Sequence, residues 1–593
     1  MKTLKILWSY SMKKKSYFLV GLILLNLAVI TDLSGPLVIR YVIDDIIAPS
    51  GESSLEANKL LVFLSIFLIL ALLTALFRYF SFLLLTVGAN IVVKLIRNEL
   101  YTHVQKLPIR YFDTVAAGKI VSRITNDTEQ LRIFYVISVG QMLTNFSYLI
   151  GIYIALFQLN SFYALLSFAL IPIFLFWAII YQKYAAPVNK KIRQLVGEIN
   201  GKLNETIRGM TIIQAFQQEE SIEKEFDETN NKWFDYSQKF VLLDSIASYS
   251  FVEVIKSFSL LLLILYFGRS YLDESLIVTV GVLYVFIDYT TRLFQPIQGI
   301  VSQWSYLQTA LASAERVFDI VDLPVEVESK QDFESLKNKI VFDQVYFSYK
   351  KDDYVLKNIN FKTKKGETTA LIGHTGSGKS SIINLLFRFY DPDKGAVYLD
   401  DYTTTSISRK SIRKQMGIVL QDPYLFKGTI ASNITLNDPT ISREKVKEAI
   451  KAVGGEVLLR DMPLGIDEPV TEKGSTLSSG QKQLISFARA LAFNPAILIL
   501  DEATANIDTE TEELIQNAMN VVKEGRTTFI IAHRLSTIQY ADQILVMNKG
   551  EIVERGDHAT LLSLNGEYAK MYKAQSEERA TNDSLDFETI NLK

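Results

Sequence analysis

There is no cysteine among the 593 residues, so disulfides and thiolate metal sites are excluded. Histidine is scarce as well, with 4 in the whole chain, which argues against a histidine-built metal enzyme. Nor is there a surplus of charge: a formal net charge of −2 leaves no basic face for nucleic acid. Hydrophobic residues, by contrast, make up 49% of the chain and crowd into its N-terminal half. Six apolar stretches there are long enough to cross a bilayer at roughly 20 residues each. They lie near 17–38, 60–87, 134–158, 162–184, 246–272 and 276–300. The first follows Lys13, Lys14 and Lys15, but it is too long for a secretory signal and no small-residue cleavage site closes it, so it is expected to stay as a helix.

Basic residues set an orientation. Lys2, Lys5 and Lys13 to Lys15 precede the first span, Lys94, Arg97, Lys106 and Arg110 follow the second, and Lys183, Lys190, Lys191 and Arg193 follow the fourth. The connection near 48–58 is acidic and that near 158–161 is uncharged, so both termini are expected on the cytoplasmic side of the cell membrane. Two long polar excursions, about 89–131 and 185–243, then lie on that side as well. Both have a helical pattern and are too long for simple turns.

The C-terminal half carries four stretches in a fixed order. The first is Gly373-His374-Thr375-Gly376-Ser377-Gly378-Lys379-Ser380, followed by Ser381. Glycines there let backbone N–H groups converge on phosphates, Lys379 supplies a point charge, and the Ser380 hydroxyl can reach Mg²⁺. The second is Leu477-Ser478-Ser479-Gly480-Gln481, a Ser/Gly turn opening a helix. The third, Ile497-Leu498-Ile499-Leu500-Asp501-Glu502, is a buried strand ending in two carboxylates, and the fourth is His533. Short, partly β-branched runs at Thr369–Ile372, Ile497–Leu500 and Thr527–Ile531 alternate with helical patterns, as expected of a mostly parallel sheet in an α/β domain.

Together the four stretches resemble the nucleotide-binding domain of an ABC transporter, and the resemblance extends over nearly the whole chain. It implies a fold of two parts. An N-terminal six-helix transmembrane domain with long cytoplasmic helical extensions (1–325) is joined through an acidic linker (326–339) to a C-terminal α/β P-loop ATPase domain (340–575), with a polar, aperiodic tail at 576–593 expected to be disordered. Tyr349 matches the aromatic that stacks on adenine, Gln421 the Q-loop residue that senses the γ-phosphate and Mg²⁺, and Asp508 the D-loop carboxylate. Asp501 matches the carboxylate linked to Mg²⁺, Glu502 the base that activates water, and His533 the switch histidine. Phosphoryl transfer is mostly positioning and charge stabilisation, which is why cations, N–H donors and one water-polarising carboxylate suffice. The ligands implied are ATP and Mg²⁺, the latter held by Ser380, Gln421 and, through water, Asp501. In exporters of this family, crosspieces at the ends of the long helices act as levers; Tyr111-Phe112-Asp113 through Lys119 resembles the first and Gln214-Ala215-Phe216 the second.

In this architecture the signature loop of one chain closes over ATP held by another, so Ser478, Ser479, Gly480 and Gln481 are expected to act in trans. Many family members read Leu-Ser-Gly-Gly-Gln, whereas Ser479 stands third here. A glycine pair approaches phosphate closely and adopts torsions that a side chain disfavours, so Ser479 is expected to weaken the face offered to a partner's ATP. The D-loop departs too, with Ala505-Asn506-Ile507-Asp508 where Ser-Ala-Leu-Asp is common. The combination resembles one half of the heterodimeric bacterial multidrug exporters. The implied function is ATP-driven efflux of hydrophobic or amphipathic compounds with a second half-transporter as partner. A homodimeric lipid exporter in which Ser479 is a tolerated change, and an ATP-gated regulator, stand as alternatives; intact Glu502 and His533 argue against the regulator. Importers usually separate membrane and ATPase subunits, which are fused here.

Ionisable residues inside the spans mark cavities or partners. Glu253 and Lys256 fall three apart and Asp288 and Arg292 four apart, spacings that let each pair neutralise itself on one helix face. Asp32 and Arg78 are lone charges in apolar spans, read as interhelical or cavity-facing structure in preference to substrate ligands. The span aromatics Phe146, Tyr153, Phe176, Trp177, Phe251 and Phe286 are read mainly as packing or lipid contacts, with a drug-binding surface as the alternative.

Overall fold

Long runs of Leu, Ile, Phe and Val with few helix breakers wind into rods in the first half of the chain, and short β-branched runs set between turns form sheets in the second. The computed structural model describes residues 2–47, 57–272, 279–326, 329, 331–460, 462–501, 509–532 and 538–574. Two compact units result. One comprises Met1–Leu107 and Val115–Pro324, the other Pro108–Thr114 and Val325–Lys593.

The N-terminal unit is helical. A short helix α1 (Lys2–Met12) precedes α2 (Lys15–Tyr41), which continues as a π-wound turn to Ile47, and α3 (Ala57–Val104). The six-residue helix α4 (Ile109–Thr114) belongs to the other unit. The rods α5 (Ala117–Leu159) and α6 (Ser161–Arg208) follow, then the short α7 (Met210–Ala215), α8 (Glu219–Asp244), α9 (Phe251–Leu272) and α10 (Val280–Val321). At a rise of 1.5 Å per residue α3 is about 72 Å long, against about 30 Å of bilayer hydrocarbon, so it runs far beyond any apolar layer. The short helices α4 and α7 fall where the two crosspieces are expected.

Among the described residues, five helices are long and apolar enough to cross a membrane: Lys15–Ile47, Asn58–Val104, Ala117–Leu159, Ser161–Arg208 and Phe251–Arg269. The sixth expected span, 276–300, begins outside the described residues and continues into α10. Asp288, Thr290, Thr291, Arg292 and Gln295 dilute its apolar stretch.

Those same residues explain where α10 sits within its unit. Arg292 pairs with Asp288 at 2.6 Å and with Asp32 of α2 at 3.3 Å, and Arg78 of α3 lies 3.6 Å from Asp32. Tyr148 of α5 donates to Asp32 at 2.6 Å and accepts from Arg78. Two carboxylates, two guanidinium groups and a phenol thus neutralise one another across four helices, as an apolar surrounding demands. Glu253 and Lys256 pair along α9 at 2.6 Å. Tyr289, fully buried, donates to the Leu33 carbonyl at 2.5 Å, and Phe286, Leu293 and Tyr153 pack into the same core. Phe146 and Phe176 point outward, while Trp177 stacks on Phe251 at 3.8 Å.

In the C-terminal unit a sheet of order β2-β1-β4-β5 is formed by β1 (Lys339–Ser348), β2 (Tyr354–Lys364), β4 (Lys394–Leu399) and β5 (Tyr402–Thr403), all antiparallel. A second sheet has the order β12-β11-β3-β10-β9-β6. Its members are β3 (Thr368–Ile372), β6 (Met416–Val419), β9 (Ile497–Asp501), β10 (Thr527–Ile531), β11 (Gln543–Asn548) and β12 (Glu551–Gly556). Only β12 runs antiparallel. All five residues of β10 are buried, the signature of a parallel strand covered on both faces. A two-residue pair, β7 (Gly428–Thr429) with β8 (Pro469–Val470), completes the strands among the described residues. The expected disordered tail, 576–593, lies outside the described residues.

Candidate nucleotide site

Parallel strands deliver their following loops to one edge, and ligands of open α/β sheets bind at that edge. Here β3, β10, β9 and β6 are neighbours in register: Leu371 sits opposite Ile531, Ile531 opposite Asp501, and Leu500 opposite Val419. Their C-terminal ends therefore bring together the start of the glycine-rich loop at Gly373, Asp501, and the Leu420–Gln421 segment. Glu502, Asp508 and His533 lie outside the described residues; in the chain Glu502 directly follows β9, and His533 follows β10 by one residue.

The glycine-rich loop has the shape of a phosphate cradle. Gly373 and Gly378 hold φ of 145° and 103°, in the left-handed region, and a Cβ at Gly373 would lie 2.2 Å from the Met547 carbonyl oxygen. The loop feeds the helix α11 (Lys379–Leu386), whose N-terminus directs backbone N–H groups and a positive dipole end at the cradle. Lys379 is buried, and its ammonium donates to the carbonyls of Gly373 at 2.7 Å and His374 at 3.2 Å. Thr375, Gly376 and Ser380 are exposed at the mouth. The Ser377 hydroxyl is buried without a hydrogen-bond partner among the described residues, an uncompensated group that a phosphate oxygen suits. Ser380, Gln421 and Asp501 carry the hard oxygen donors that Mg²⁺ takes together with phosphates.

Tyr349 follows β1 and is tied to the cradle's helix. Its hydroxyl lies 3.2 Å from Ser381 Oγ and accepts from Asn384 at 2.9 Å. Ser381 is buried there against Tyr349. The ring makes edge contacts with Phe347 and Tyr390 at centroid distances of 4.8 and 5.1 Å. Replacing Tyr349 by Ala is expected to weaken ATP about threefold to tenfold, a stacking contribution of about 0.5–1.5 kcal/mol, whereas Trp retains most of it. Equal weakening of ATP and inorganic triphosphate in a binding titration would separate the ring from the base.

The helix α4, which carries residues of the first expected crosspiece, adds contacts that pattern reading did not predict. Arg110 donates to the Tyr349 carbonyl at 3.1 Å, and Tyr390 donates to Asp113. Burial, then the Asp113 carboxylate, pushes the Tyr390 phenol well above its ordinary value, so it stays a donor at every physiological pH. Both links join positions far apart in sequence, and no local spacing signals them.

The signature stretch opens the helix α12 (Ser479–Phe493). Ser478 is its N-cap, accepting from the Gln481 amide at 3.2 Å while Gln481 accepts from the Ser478 amide at 2.9 Å, a capping box. Ser479 occupies the first helical position and is absent from the residues with positive φ. The torsional handicap expected of a side chain there is therefore not found; only the added bulk of an exposed hydroxymethyl group is left to act. Gln483, a turn further on, donates to the carbonyls of Leu420 at 3.2 Å and Gln421 at 2.7 Å, fastening the signature helix to the Q-loop segment.

Comparisons with known proteins match both parts of the chain. Residues 18–297 match the ABC transporter transmembrane region family, and residues 356–505 the ABC transporter family. A Bacillus subtilis (strain 168) protein described as "Probable multidrug resistance ABC transporter ATP-binding/permease protein YheH" is 52% identical over 500 residues, covering 84% of this chain and 74% of its own. The "Multidrug resistance-like ATP-binding protein MdlB" of Buchnera aphidicola subsp. Schizaphis graminum is 36% identical, covering 96% of this chain and 98% of its own. Among solved structures, that of a bacterial Atm1-family ABC exporter with ATP bound superposes with a TM-score of 0.81 at 25% identity, over 95% of this chain and 98% of that one.

Proposed function

The chain belongs to the ABC transporter family, with an exporter-type membrane unit fused to an ATPase unit that couples ATP hydrolysis to transport, and from that premise we propose that it is one half of a heterodimeric exporter of hydrophobic or amphipathic compounds. The observation that carries the export reading is the fusion itself: spans and nucleotide site share one polypeptide, and relatives named for multidrug resistance match across both. Ser479 and the departed D-loop support a partner of different sequence. The competent site then combines Lys379, Asp501, Glu502 and His533 of this chain with the partner's signature helix. The weaker site receives Ser478–Gln481 of this chain.

The residues divide the chemistry in an ordinary way. Backbone N–H groups of the cradle and Lys379 bind and orient the β- and γ-phosphates, and Glu502 takes the proton of the attacking water. His533 and Gln421 hold the γ-phosphate end. Mg²⁺, bound with ATP by Ser380, Gln421 and Asp501, would neutralise phosphate charge. ATP draws the two ATPase units together and hydrolysis releases them; the nucleotide shifts inward to outward access only by its differential affinity for the two states. The lysine and arginine distribution supports cytoplasmic termini and a cytoplasmic ATPase unit.

Transport is tested with inside-out membrane vesicles from cells expressing the chain with its partner. ATP is expected to drive accumulation of a lipophilic cationic dye, and a non-hydrolysable analogue is not. Equal dye uptake with both nucleotides would refute hydrolysis-driven export.

A further inference from the structure

Three rods of the N-terminal unit meet at one level. Asp127 of α5 is only 5% exposed. Arg123, one turn earlier on the same rod, donates to its Oδ2 at 2.7 Å. Arg316, near the end of α10, donates to both carboxylate oxygens, to Oδ2 through Nε at 3.1 Å and to Oδ1 through Nη2. The same Nη2 donates to Ser313 Oγ at 2.9 Å, which fixes the guanidinium on its own helix. Thr128, next in α5 and fully buried, accepts from Arg97 of α3 at 3.0 Å. Glu129 pairs with Arg132 at 2.7 Å and lies 3.9 Å from Arg97. Three consecutive residues of α5 thus fasten it to both α3 and α10.

Burial decides whether such a joint opens. A carboxylate held on both oxygens and shut away from water has nothing to replace a departing guanidinium, so the open form is disfavoured roughly a hundredfold or more. What the joint connects gives it a task. The rods α3 and α5 flank α4, whose Arg110 and Asp113 hold Tyr349 and Tyr390. Further back along α10, Asp288 and Arg292 sit in the charge network with Asp32.

We infer that Asp127 and Arg316 are positioning residues for transport, welding the exit of α10 to the rods that carry α4. The joint stays closed through the whole ATP cycle, and bending takes place elsewhere in the bundle. A cargo's effect on α10 then reaches the ATPase unit through this joint. That last step rests on the proposed drug export.

The test uses the full chain, with a cysteine-free form of its partner, in nanodiscs. Because this chain has no cysteine of its own, Val121→Cys and Asp319→Cys, both exposed and close in sequence to the joint, give a clean pair of spin labels. Pulsed EPR is expected to show one narrow distance without nucleotide, and the same distance when ATP is retained in the Glu502→Gln background. Arg316→Met removes the joint while Asp127 keeps Arg123, so no bare buried charge opposes folding. In that variant the distance should broaden and depend on nucleotide. Without labels, Arg316→Met should leave basal hydrolysis unchanged and cut its stimulation by a transported drug at least about fivefold, the size of an ordinary coupling factor. Arg316→Lys keeps a cation and should keep the stimulation. A distance that changes with ATP in the parent protein reveals a latch that opens, and overturns the inference. So does a narrow, nucleotide-independent distance in Arg316→Met, stimulation that survives Arg316→Met, or stimulation lost equally in Arg316→Lys. A parent protein that no drug stimulates refutes the export reading instead, and the joint then stands or falls on the EPR distances.

Discussion

Glu502→Gln is expected to lower ATP turnover about 10²–10⁴-fold while leaving ATP binding intact, since an amide keeps the shape of the side chain but cannot take a proton from water. The position directly follows Asp501 at the end of β9, on the edge where the glycine-rich loop also emerges. Binding energy that draws the ATPase units together is retained, and the step that releases them is lost. The variant should therefore accumulate with ATP held in a closed complex, detectable as nucleotide retained through gel filtration. Unchanged turnover would mean that the base has been misassigned.

Lys379→Ala acts earlier in the cycle. Its ammonium is buried at the cradle floor, 2.7 Å from the Gly373 carbonyl, and nothing else in the loop carries a full positive charge. Losing charge-assisted hydrogen bonds to phosphate is worth about 1.5–3 kcal/mol, or roughly tenfold to over a hundredfold in ATP affinity. The change also strips the Gly373 and His374 carbonyls of their donor, so the loop relaxes. Titration with a fluorescent ATP analogue should show the loss, with the melting temperature of the nucleotide-free protein nearly unchanged. Wild-type affinity in the variant would place the phosphates elsewhere. The contrast with Glu502→Gln is diagnostic, because one variant fails to bind and the other fails to let go.

Local chemistry made much of the architecture readable. The runs Thr369–Ile372, Ile497–Leu500 and Thr527–Ile531 became β3, β9 and β10 because short β-branched segments between helical patterns have few other places to go. Spacing alone signalled the Asp288–Arg292 and Glu253–Lys256 pairs, both formed along single helices. Pairing across helices was a different matter. Asp32 and Arg78 stood as lone charges in the sequence, and only the packing of α2, α3, α5 and α10 joins them through Tyr148 and Arg292. The contacts of Arg110 and Asp113 escaped for the same reason, since their partners Tyr349 and Tyr390 lie more than two hundred positions away. At Ser479 the departure from glycine was visible, but its supposed torsional effect was not there; a helix start accepts serine in ordinary backbone geometry.

The dependence on a second polypeptide is tested most directly by purifying this chain alone in nanodiscs and measuring ATP hydrolysis with and without a transported drug. Low turnover that the drug does not raise, restored when the partner half-transporter is reconstituted with it, is the expected result. Robust, drug-stimulated hydrolysis by the lone product would contradict a site completed by a different chain.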